Sequence, residues 1–528
     1  MKLDRQTMES LVEAIRRREL GDAEWELLSA MVAKIVTILT LLEGKGIDLE
    51  RFAHTLPGYR KRAKPKPKPP STGDGEAASA PAPDPPEKPK RKGHGRRPSS
   101  DFRVSETVDC ADPSLNPGEA CPRGCLGRVH RFRIVSEIRL VGQALVRAVR
   151  YRRQVLRCSK CQWTFTAPLP EGVHDGKYGP TVAASLAVYR YAMGLPFHRI
   201  ATMLKSMSVP VAASVQFDLV AGLARVLLPV LIVLERLAAD SGLIHTDDTT
   251  GRVISLMKEN ETRTAKQRKG IFVTGIVAEG AHRITLYRTG RRHAGENLDS
   301  LLAKRDGGLS PPIHMSDALS RNESRQFDTI VANCLAHAVR KFRDVEDAFP
   351  DECRRVLADL GAIYLNDDQT AGMTPDERLA FHRLHSGPIA AGLRSWIEQS
   401  ESRGVEPNSV LGKSYAYVLN HWDALTRFLD VAGTPLDNNL TERSLKVVIR
   451  HRNNSLFYKT KRGAAVGDIL MSVIRTCQDN DVNPFDYLAA VGRNAREVAA
   501  DPEAWLPWAW AARQAGGDER AGGEKQAA

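Results

Sequence analysis

Residues 241–345 contain strand-like and helix-like segments whose order restricts the fold more than any other part of this sequence. Short stretches rich in valine, isoleucine and threonine predict strands, and apolar residues at helical spacing predict the helix between them. The predicted order is three strands (243–245 together with 252–256, then 271–277, then 282–287), one helix (296–302) and a fourth strand (313–315). A strand or helix, followed by a basic helix, is predicted over 329–342.

Three acidic residues lie where this arrangement would present them together. Asp247 lies on the first strand, Asp317 ends the fourth strand, and Glu442 lies on a later helix predicted over 438–450. Acids at these places, on this order of elements, are the arrangement of a ribonuclease-H-like (RNase H-like) α/β domain. The first acid is ambiguous by one residue, because Asp248 is adjacent and successive side chains on a strand face opposite sides.

Three carboxylates suit a site that cuts and joins phosphodiester bonds. Their hard oxygen atoms favour Mg²⁺ or Mn²⁺, and a pair of such ions activates a water or a 3′-hydroxyl and stabilises the leaving oxygen. We therefore predict that Asp247, Asp317 and Glu442 hold two Mg²⁺ (or Mn²⁺) ions. The long separation of Asp317 from Glu442 exceeds what this fold needs, so the helical stretch 346–430 is predicted to be an insertion.

The charge of the chain favours a polyanionic partner. Its 76 Lys and Arg residues against 63 Asp and Glu residues give a net charge of +13, which suits a protein that binds nucleic acids. No apolar run long enough to span a bilayer and no signal-peptide core are predicted, and eight cysteines in 528 residues do not indicate a disulfide scaffold. We therefore expect a cytoplasmic protein without membrane contact.

The N-terminal region divides into a helical segment (1–60) and a basic, proline-rich linker (61–105). The helical segment carries a short coiled-coil seam, which predicts either an amphipathic helix packed on the protein or association into a homodimer or higher oligomer. The alternating Lys-Pro run of the linker is extended. The linker is either a solvated spacer or a phosphate-binding segment whose Arg96 and Arg97 enter a minor groove.

Two close cysteine pairs predict a small β-rich zinc ribbon over 106–172. Cys121 and Cys125 form one pair, Cys158 and Cys161 form the other, and strand-like residues separate the pairs. In a cytosolic chain this spacing favours a site for one structural Zn²⁺ over four free thiols. The cysteines that follow this module are predicted to be core residues.

The rest of the chain completes a multidomain α+β architecture. Residues 173–240 are predicted to be helical, either as a helix-turn-helix that reads DNA around 194–220 or as a plain scaffold. The catalytic domain is predicted over 241–345 and 431–495. The tail 496–528 is expected to be flexible.

Residues around Glu442 predict a DNA-binding surface beside the metals. Asp437 is expected to cap the helix of Glu442. His337 is expected either to hold the scissile DNA near Asp317 or to be structural. Basic residues that follow Glu442 suit contacts with phosphates, and they are Arg443, Arg450, Arg452 and Lys459.

Several sequence blocks resemble those of the IS66 family of bacterial insertion-sequence transposases. The resemblance covers most of residues 90–490, including Gly95-Arg-Arg-Pro98 and the paired cysteines. The chain departs from the commonest family pattern at Asp248, where Glu is usual, and at Ala318-Leu319, where Gly-Tyr is usual. The blocks are His245-Thr-Asp-Asp-Thr249, Ser316-Asp-Ala318, Asn333-Cys-Leu-Ala-His-Ala-Val-Arg-Lys-Phe342, Pro435-Leu-Asp-Asn-Asn-Leu-Thr-Glu-Arg443, Arg452-Asn-Asn-Ser-Leu-Phe-Tyr-Lys-Thr-Lys-Arg-Gly-Ala464 and Asn483-Pro-Phe-Asp-Tyr-Leu488.

The resemblance implies a DDE transposase with Asp247, Asp317 and Glu442 as its catalytic triad. Its partners would be double-stranded DNA, at transposon ends and at the target, in the bacterial nucleoid. Such elements often encode accessory proteins, which are further candidate partners. Two alternatives stay open at this stage: an inactive, transposase-derived DNA-binding protein, and an RNase H-like metal nuclease that does not transfer strands.

Overall fold

The computed structural model describes most of the chain beyond residue 145 and only a few residues before it. The predicted N-terminal helix (1–60) and linker (61–105) therefore lie outside the described residues, apart from three positions of the helix. Contacts divide the chain into two units, Met1–Val135 and Ser136–Ala528, and every element named below belongs to the second. The described residues are Gly21, Trp25, Ser29, 116–120, 128–129, 145–157, 159, 164–171, 173–174, 176–264 and 266–524, with side chains described up to residue 515.

Two sheets are present among the described residues. The strands are β1 (Val155–Arg157), β2 (Thr164–Thr166), β3 (Leu243–Thr250), β4 (Phe272–Glu279), β5 (Ile284–Gly290), β6 (Ile313–Ser316) and β7 (Ile330–Asn333). Strands β1 and β2 form an antiparallel pair, and the other strands form a mixed sheet in the order β5-β4-β3-β6-β7. Strands β5, β4 and β3 are antiparallel neighbours, whereas β6 and β7 run parallel to β3.

Helices before and within the sheet region form its main core. Buried residues of α1, of α3 and of the sheet share one apolar cluster, which includes Leu186, Leu227, Leu234 and Ile276. The helices are α1 (Pro180–Ala187), which continues into a π-helical turn (Val188–Ala192), α2 (Phe197–Ser206), α3 (Ala213–Asp240), α4 (Ile254–Thr262) and α5 (Ala294–Leu302).

Helices that follow β7 form a second apolar core. Phe342, Val356, Leu393 and Leu411 are buried in it, which confirms the prediction that 346–430 is mostly helical. The helices are α6 (Leu335–Arg343), α7 (Pro350–Asp368), α8 (Pro375–His385), α9 (Gly387–Glu398), α10 (Val410–Asn420) and α11 (Trp422–Leu425), with 3₁₀ turns at Ser320–Asn322, Glu401–Arg403 and Arg427–Leu429.

The C-terminal helices return to the sheet. Helix α13 covers the edge strand β5, and three of its side chains at four-residue spacing accept hydrogen bonds from backbone N–H groups of β5: Asp468 from Thr289, Ser472 from Tyr287, and Thr476 from Thr285. A covered edge of this kind cannot pair with another strand. The helices are α12 (Asn439–Ser455), α13 (Lys461–Asp479), α14 (Pro484–Arg493), α15 (Ala495–Ala500) and α16 (Pro507–Glu524).

Two predictions of secondary structure are wrong. Residues 252–256 were predicted to be part of a strand, but α4 begins at Ile254, because its apolar side packs on Ile271 and Ala464. The tail was predicted to be flexible from residue 496, but Trp505 and Leu506 are buried and α16 follows them. The hydroxyl group of Tyr487 donates a hydrogen bond to the carbonyl oxygen of Trp505 over 2.7 Å and holds this segment to α14.

Helix α3 is long and apolar enough to cross a membrane by length and composition, although the sequence predicts no such span. Half of its most apolar window is buried inside the protein. Near its C-terminal end, Glu235 forms ion pairs with Arg288 and Lys304. Packing in the core therefore accounts for the apolar composition of α3.

Candidate active site

The three predicted carboxylates lie at one end of the mixed sheet. Strand β6 pairs with β3 in parallel, with Met315 opposite His245, so the same register continued by two residues sets Asp317 beside Asp247. Glu442 lies in the first turn of α12. All three side chains are partly exposed, as a site that receives a substrate requires.

The geometry separates the roles of Asp247 and Asp248. Asp248 faces α5, where its carboxylate accepts hydrogen bonds from Thr274 Oγ1 (2.5 Å) and from the backbone N–H of Ala294 (2.9 Å), and lies 3.2 Å from Nδ1 of His293. These contacts occupy Asp248 as an anchor for the N-terminus of α5. Asp247 faces the opposite side, toward α12.

Electrostatic repulsion couples Asp247 to the other two acids. Burial raises the pKa of Asp247 to about 7, the backbone N–H of Asp248 opposes this rise, and the charges of Asp317, Glu442 and Asp248 add to it. A carboxylate whose pKa is raised by neighbouring acids belongs to a site that favours a cation. The donor set, three carboxylates with hard oxygen atoms, fits Mg²⁺ or Mn²⁺.

Asp247→Asn is expected to stabilise the metal-free protein at pH 8 by about 2–4 kcal/mol. The pKa of the Asp247 carboxyl group is about 7 in the folded chain against an ordinary value of 3.8. The folded state favours the neutral form of this carboxyl group, so the group's contribution to the free energy of unfolding is complete below pH 4. That contribution is lost as the pH rises through 7, where the buried carboxyl group must ionise. Thermal unfolding in EDTA from pH 4 to pH 8 measures the difference, which should vanish at pH 4. The exposed Asp328→Asn should show no such trend, and equal stability of wild type and Asp247→Asn at pH 8 would contradict this reading.

Neighbouring side chains hold two of the carboxylates. Arg340 on α6 donates two hydrogen bonds to Glu442, over 2.8 and 2.6 Å to its two oxygens. The side-chain amide of Asn322 donates to Asp317 over 2.6 Å. Among the described residues, one set of possible metal ligands has atoms that all lie within 4.8 Å of one another. This set is Cys334, His337 and Glu442, not the predicted triad. Glu442 must therefore leave Arg340 before it can share an ion with Asp247.

A buried asparagine fastens α12 to β3. The side chain of Asn438 donates from Nδ2 to the carbonyl oxygen of Thr246 over 2.9 Å, and its Oδ1 accepts from Nδ1 of His245 over 3.1 Å. Its backbone N–H donates to Sγ of Cys334 over 3.2 Å. Asn438 thus joins the residue before Asp247 to the start of the helix of Glu442. Sequence reasoning did not identify it, because its partners lie 104 to 193 residues away.

A glycine lets α12 approach the sheet. Gly275 on β4 pairs with Asp247, and a Cβ atom at this position would lie 3.0 Å from Leu445 Cδ2 and 3.4 Å from Ser444 Oγ. A Cβ atom here would therefore force the side chain of Leu445 to shift by a few tenths of an ångström. The lack of a side chain at Gly275 therefore helps to bring Glu442 to the acids of the sheet.

Asp437 and His337 both lie close to the start of α12. Asp437 was predicted to cap α12, but the N-cap residue is Asn438; Asp437 lies one residue earlier, and its Oδ1 accepts a hydrogen bond from the backbone N–H of Asn439, the first residue of the helix, over 3.0 Å. Nε2 of His337 lies 3.9 Å from Glu442. Burial lowers the pKa of His337, Arg340 lowers it further, and the nearby acids oppose this shift.

The basic surface predicted after Glu442 is only partly free. Arg443, Lys446 and Arg450 are exposed, and their spacing places them in one stripe on α12 next to Glu442. The sequence prediction did not include Lys446, although its spacing of three residues from Arg443 and four from Arg450 places it on the same face of the helix. Arg452 instead donates to Thr249 and Thr250 and holds α12 to the end of β3. Lys459, beyond the helix, is exposed.

Six predicted site residues lie outside the described residues. Arg96 and Arg97 belong to the linker, and the four cysteines are Cys121, Cys125, Cys158 and Cys161. The backbone next to each cysteine pair is described. Ala120 pairs with Arg128 around the first cysteine pair, and β1 pairs with β2 around the second.

Comparisons with known proteins identify a transposase family. Residues 175–466, more than half of the chain, match the model described as "Transposase IS66 family", which confirms the resemblance found in the sequence. Two relatives are uncharacterized proteins of Sinorhizobium fredii (strain NBRC 101917 / NGR234). The relative y4jD is 26% identical over 416 residues, covering 77% of this chain and 81% of its own length. The relative y4hP is 24% identical over 374 residues, covering 68% and 67%.

Proposed function

This chain belongs to the IS66 family of transposases, and on that premise we propose that it is a DNA transposase that binds the ends of an insertion sequence, cleaves them and joins them to target DNA. One observation carries the proposal. Asp247 lies on β3, Asp317 directly follows the neighbouring parallel strand β6, and the charges of Asp317 and Glu442 both act on the Asp247 carboxyl group. Acids placed in this way suit metal-dependent phosphoryl transfer.

We propose that the domain is RNase H-like and that Asp247, Asp317 and Glu442 hold two Mg²⁺ or Mn²⁺ ions. The mixed sheet, with the first acid on β3 and the second at the end of the adjacent parallel strand, supports this fold. When bound, the ions activate the nucleophile and stabilise the leaving oxygen.

The chain's own residues position these groups and the DNA. Asn438 joins α12 to β3 and Gly275 leaves room for this helix beside the sheet, so that Glu442 would reach Asp247 once it leaves Arg340. The stripe Arg443, Lys446 and Arg450 binds phosphates of the transposon end. Water first attacks a phosphorus atom and releases a 3′-hydroxyl group. This hydroxyl then attacks a phosphorus atom of the target, a new P–O bond replaces the broken one, and no covalent bond to the protein forms.

Arg340→Gln is expected to tighten Mn²⁺ binding in the absence of DNA by about fivefold. The reason is that Arg340 neutralises Glu442 with two hydrogen bonds, and an ion must displace this charge-assisted pair. Titration of metal-free protein with Mn²⁺, followed by electron paramagnetic resonance, measures the affinity. Arg343→Gln, an exposed arginine on the same helix, is the matched control. Unchanged or weaker Mn²⁺ binding by Arg340→Gln alone would contradict the role given to this ion pair.

The N-terminal modules complete the proposal. Cys121, Cys125, Cys158 and Cys161 would hold one structural Zn²⁺, and the linker with Arg96 and Arg97 would add phosphate contacts. The N-terminal helical segment would associate two or more copies, which aligns two transposon ends in the bacterial nucleoid. Accessory proteins of the same element would be further partners.

The same ion pair supports a second candidate, an inactive transposase-derived DNA-binding protein. In that case Arg340 would keep Glu442 permanently from metal. An Mg²⁺-dependent nicking assay on DNA that carries the element's ends separates the two candidates, because the inactive protein binds without cutting. A strand-transfer assay separates the transposase from a nuclease of the same fold, which would cut without joining.

A further inference from the structure

We propose that Cys334, His337 and Glu442 form a second metal site, which takes Zn²⁺ or a similar thiolate-binding ion and thereby withdraws Glu442 from the proposed triad. Ion binding at this site is independent of the proposed function. Only its consequence, inhibition of DNA cleavage, rests on that function.

The three side chains converge from two elements. Cys334 immediately precedes α6, His337 lies one turn further along the same helix, and Glu442 lies in the first turn of α12. A sulfur, a ring nitrogen and a carboxylate oxygen from these residues all lie within 4.8 Å of one another. Ligand atoms of a tetrahedral Zn²⁺ ion, bonded at about 2.0–2.3 Å, lie about 3.3–3.8 Å apart. Side-chain movements of about 1 Å therefore complete the site.

An unsatisfied polar atom provides independent support. Nδ1 of His337 is buried and has no hydrogen-bond partner in the structure, and a buried polar atom without a partner is costly. The sulfur of Cys334 is held in place, because the backbone N–H of Asn438 donates to it over 3.2 Å. The site thus offers a fixed sulfur ligand and a histidine that lacks a full set of partners.

The donor types select the ion. A thiolate and an imidazole favour Zn²⁺ and related ions, whereas Mg²⁺ prefers oxygen ligands. Three protein ligands leave a fourth position for water. Glu442 is shared between the two sets of ligands, so it can join Asp247 and Asp317 around Mg²⁺ or join Cys334 and His337 around Zn²⁺. In both cases it must first leave Arg340.

Co²⁺ titration of the full-length, metal-stripped protein without DNA tests the proposal. Co²⁺ replaces Zn²⁺ and absorbs strongly when a thiolate binds it. Wild-type protein is expected to bind one more thiolate-ligated Co²⁺ ion at saturation, counted by this absorption, than Cys334→Ala. The matched control is Cys353→Ala, since Cys353 is also a free, buried cysteine but lies in the helical core away from the site. This control should bind as many ions as wild type, because the predicted N-terminal cysteine site is intact in every variant.

His337→Gln and Glu442→Gln provide a second comparison in case Cys334→Ala does not fold, which circular dichroism detects. Each should weaken the additional Co²⁺ site at least about tenfold, since even partners outside the ligand shell affect metal affinity by this amount. Equal Co²⁺ stoichiometry and affinity in wild type and in the folded variants of this site would overturn the proposal. Added Zn²⁺ should also suppress Mg²⁺-dependent cleavage by wild type. A protein that never cleaves DNA would refute the transposase activity but leave the Co²⁺ result standing.

Discussion

Asp317→Asn and Glu442→Gln are each expected to lower Mg²⁺-dependent cleavage of transposon-end DNA by at least about 10³-fold, or about 4 kcal/mol of transition-state stabilisation. An amide has the size of the carboxyl group that it replaces but carries no charge, so it holds a divalent ion poorly. Both side chains are partly exposed, so neither substitution should disturb the core. A cleavage assay with labelled DNA measures the loss.

Binding of the DNA ends should survive these substitutions, because Arg443, Lys446 and Arg450 are unchanged. Fluorescence anisotropy on the same DNA checks this. Asp437→Asn is the matched control, since Asp437 lies five residues before Glu442 and accepts a hydrogen bond from the backbone N–H of Asn439, which the side-chain oxygen of asparagine can also accept. It should keep activity within about threefold. Cleavage at the wild-type rate by Asp317→Asn and by Glu442→Gln would end the assignment of the triad.

Asn438→Ala is expected to lower the free energy of unfolding by about 2–4 kcal/mol and to reduce cleavage together with it. The substitution removes the partner of the Thr246 carbonyl oxygen and of the His245 ring, both of which belong to buried residues. The start of α12 would then lose its connection to β3, and Glu442 would lose its position. Urea denaturation followed by circular dichroism gives the change in stability.

Asn439→Ala is the control for this prediction. Asn439 is the next residue, but its side chain makes a local hydrogen bond to Asp437 over 2.6 Å and is only partly buried. Its removal should cost less than about 1 kcal/mol. Similar losses for both alanine variants would show that Asn438 has no special role in joining α12 to β3.

The acids could be predicted from the sequence because each belongs to a local pattern. Asp247 and Asp317 lie on or directly after short apolar stretches, and Glu442 follows a turn that starts a helix. Asp247 and Asp248 could not be distinguished in this way, because strand periodicity gives only their opposite directions. The choice depends on α5, whose N-terminus binds Asp248.

Errors arose where distant contacts decide the local structure. Residues 252–256 alternate like a strand, but packing on Ala464, far along the chain, favours a helix. The tail contains many small residues, but its tryptophans pack against the rest of the protein and hold the tail there. Trp505 is buried, and the ring of Trp508 stacks on His282 with centroids 4.2 Å apart. Asn438 and Gly275 depend on the same kind of long-range contact, which residue patterns do not record.

The central claim is that Asp247, Asp317 and Glu442 bind divalent ions for phosphoryl transfer. Anomalous scattering from crystals of the protein bound to transposon-end DNA in Mn²⁺ tests it most directly. The prediction is two manganese peaks bounded by these three carboxylates, with Arg340 released from Glu442. Manganese absent from this place, with Arg340 still bound to Glu442 on the DNA complex, would contradict it.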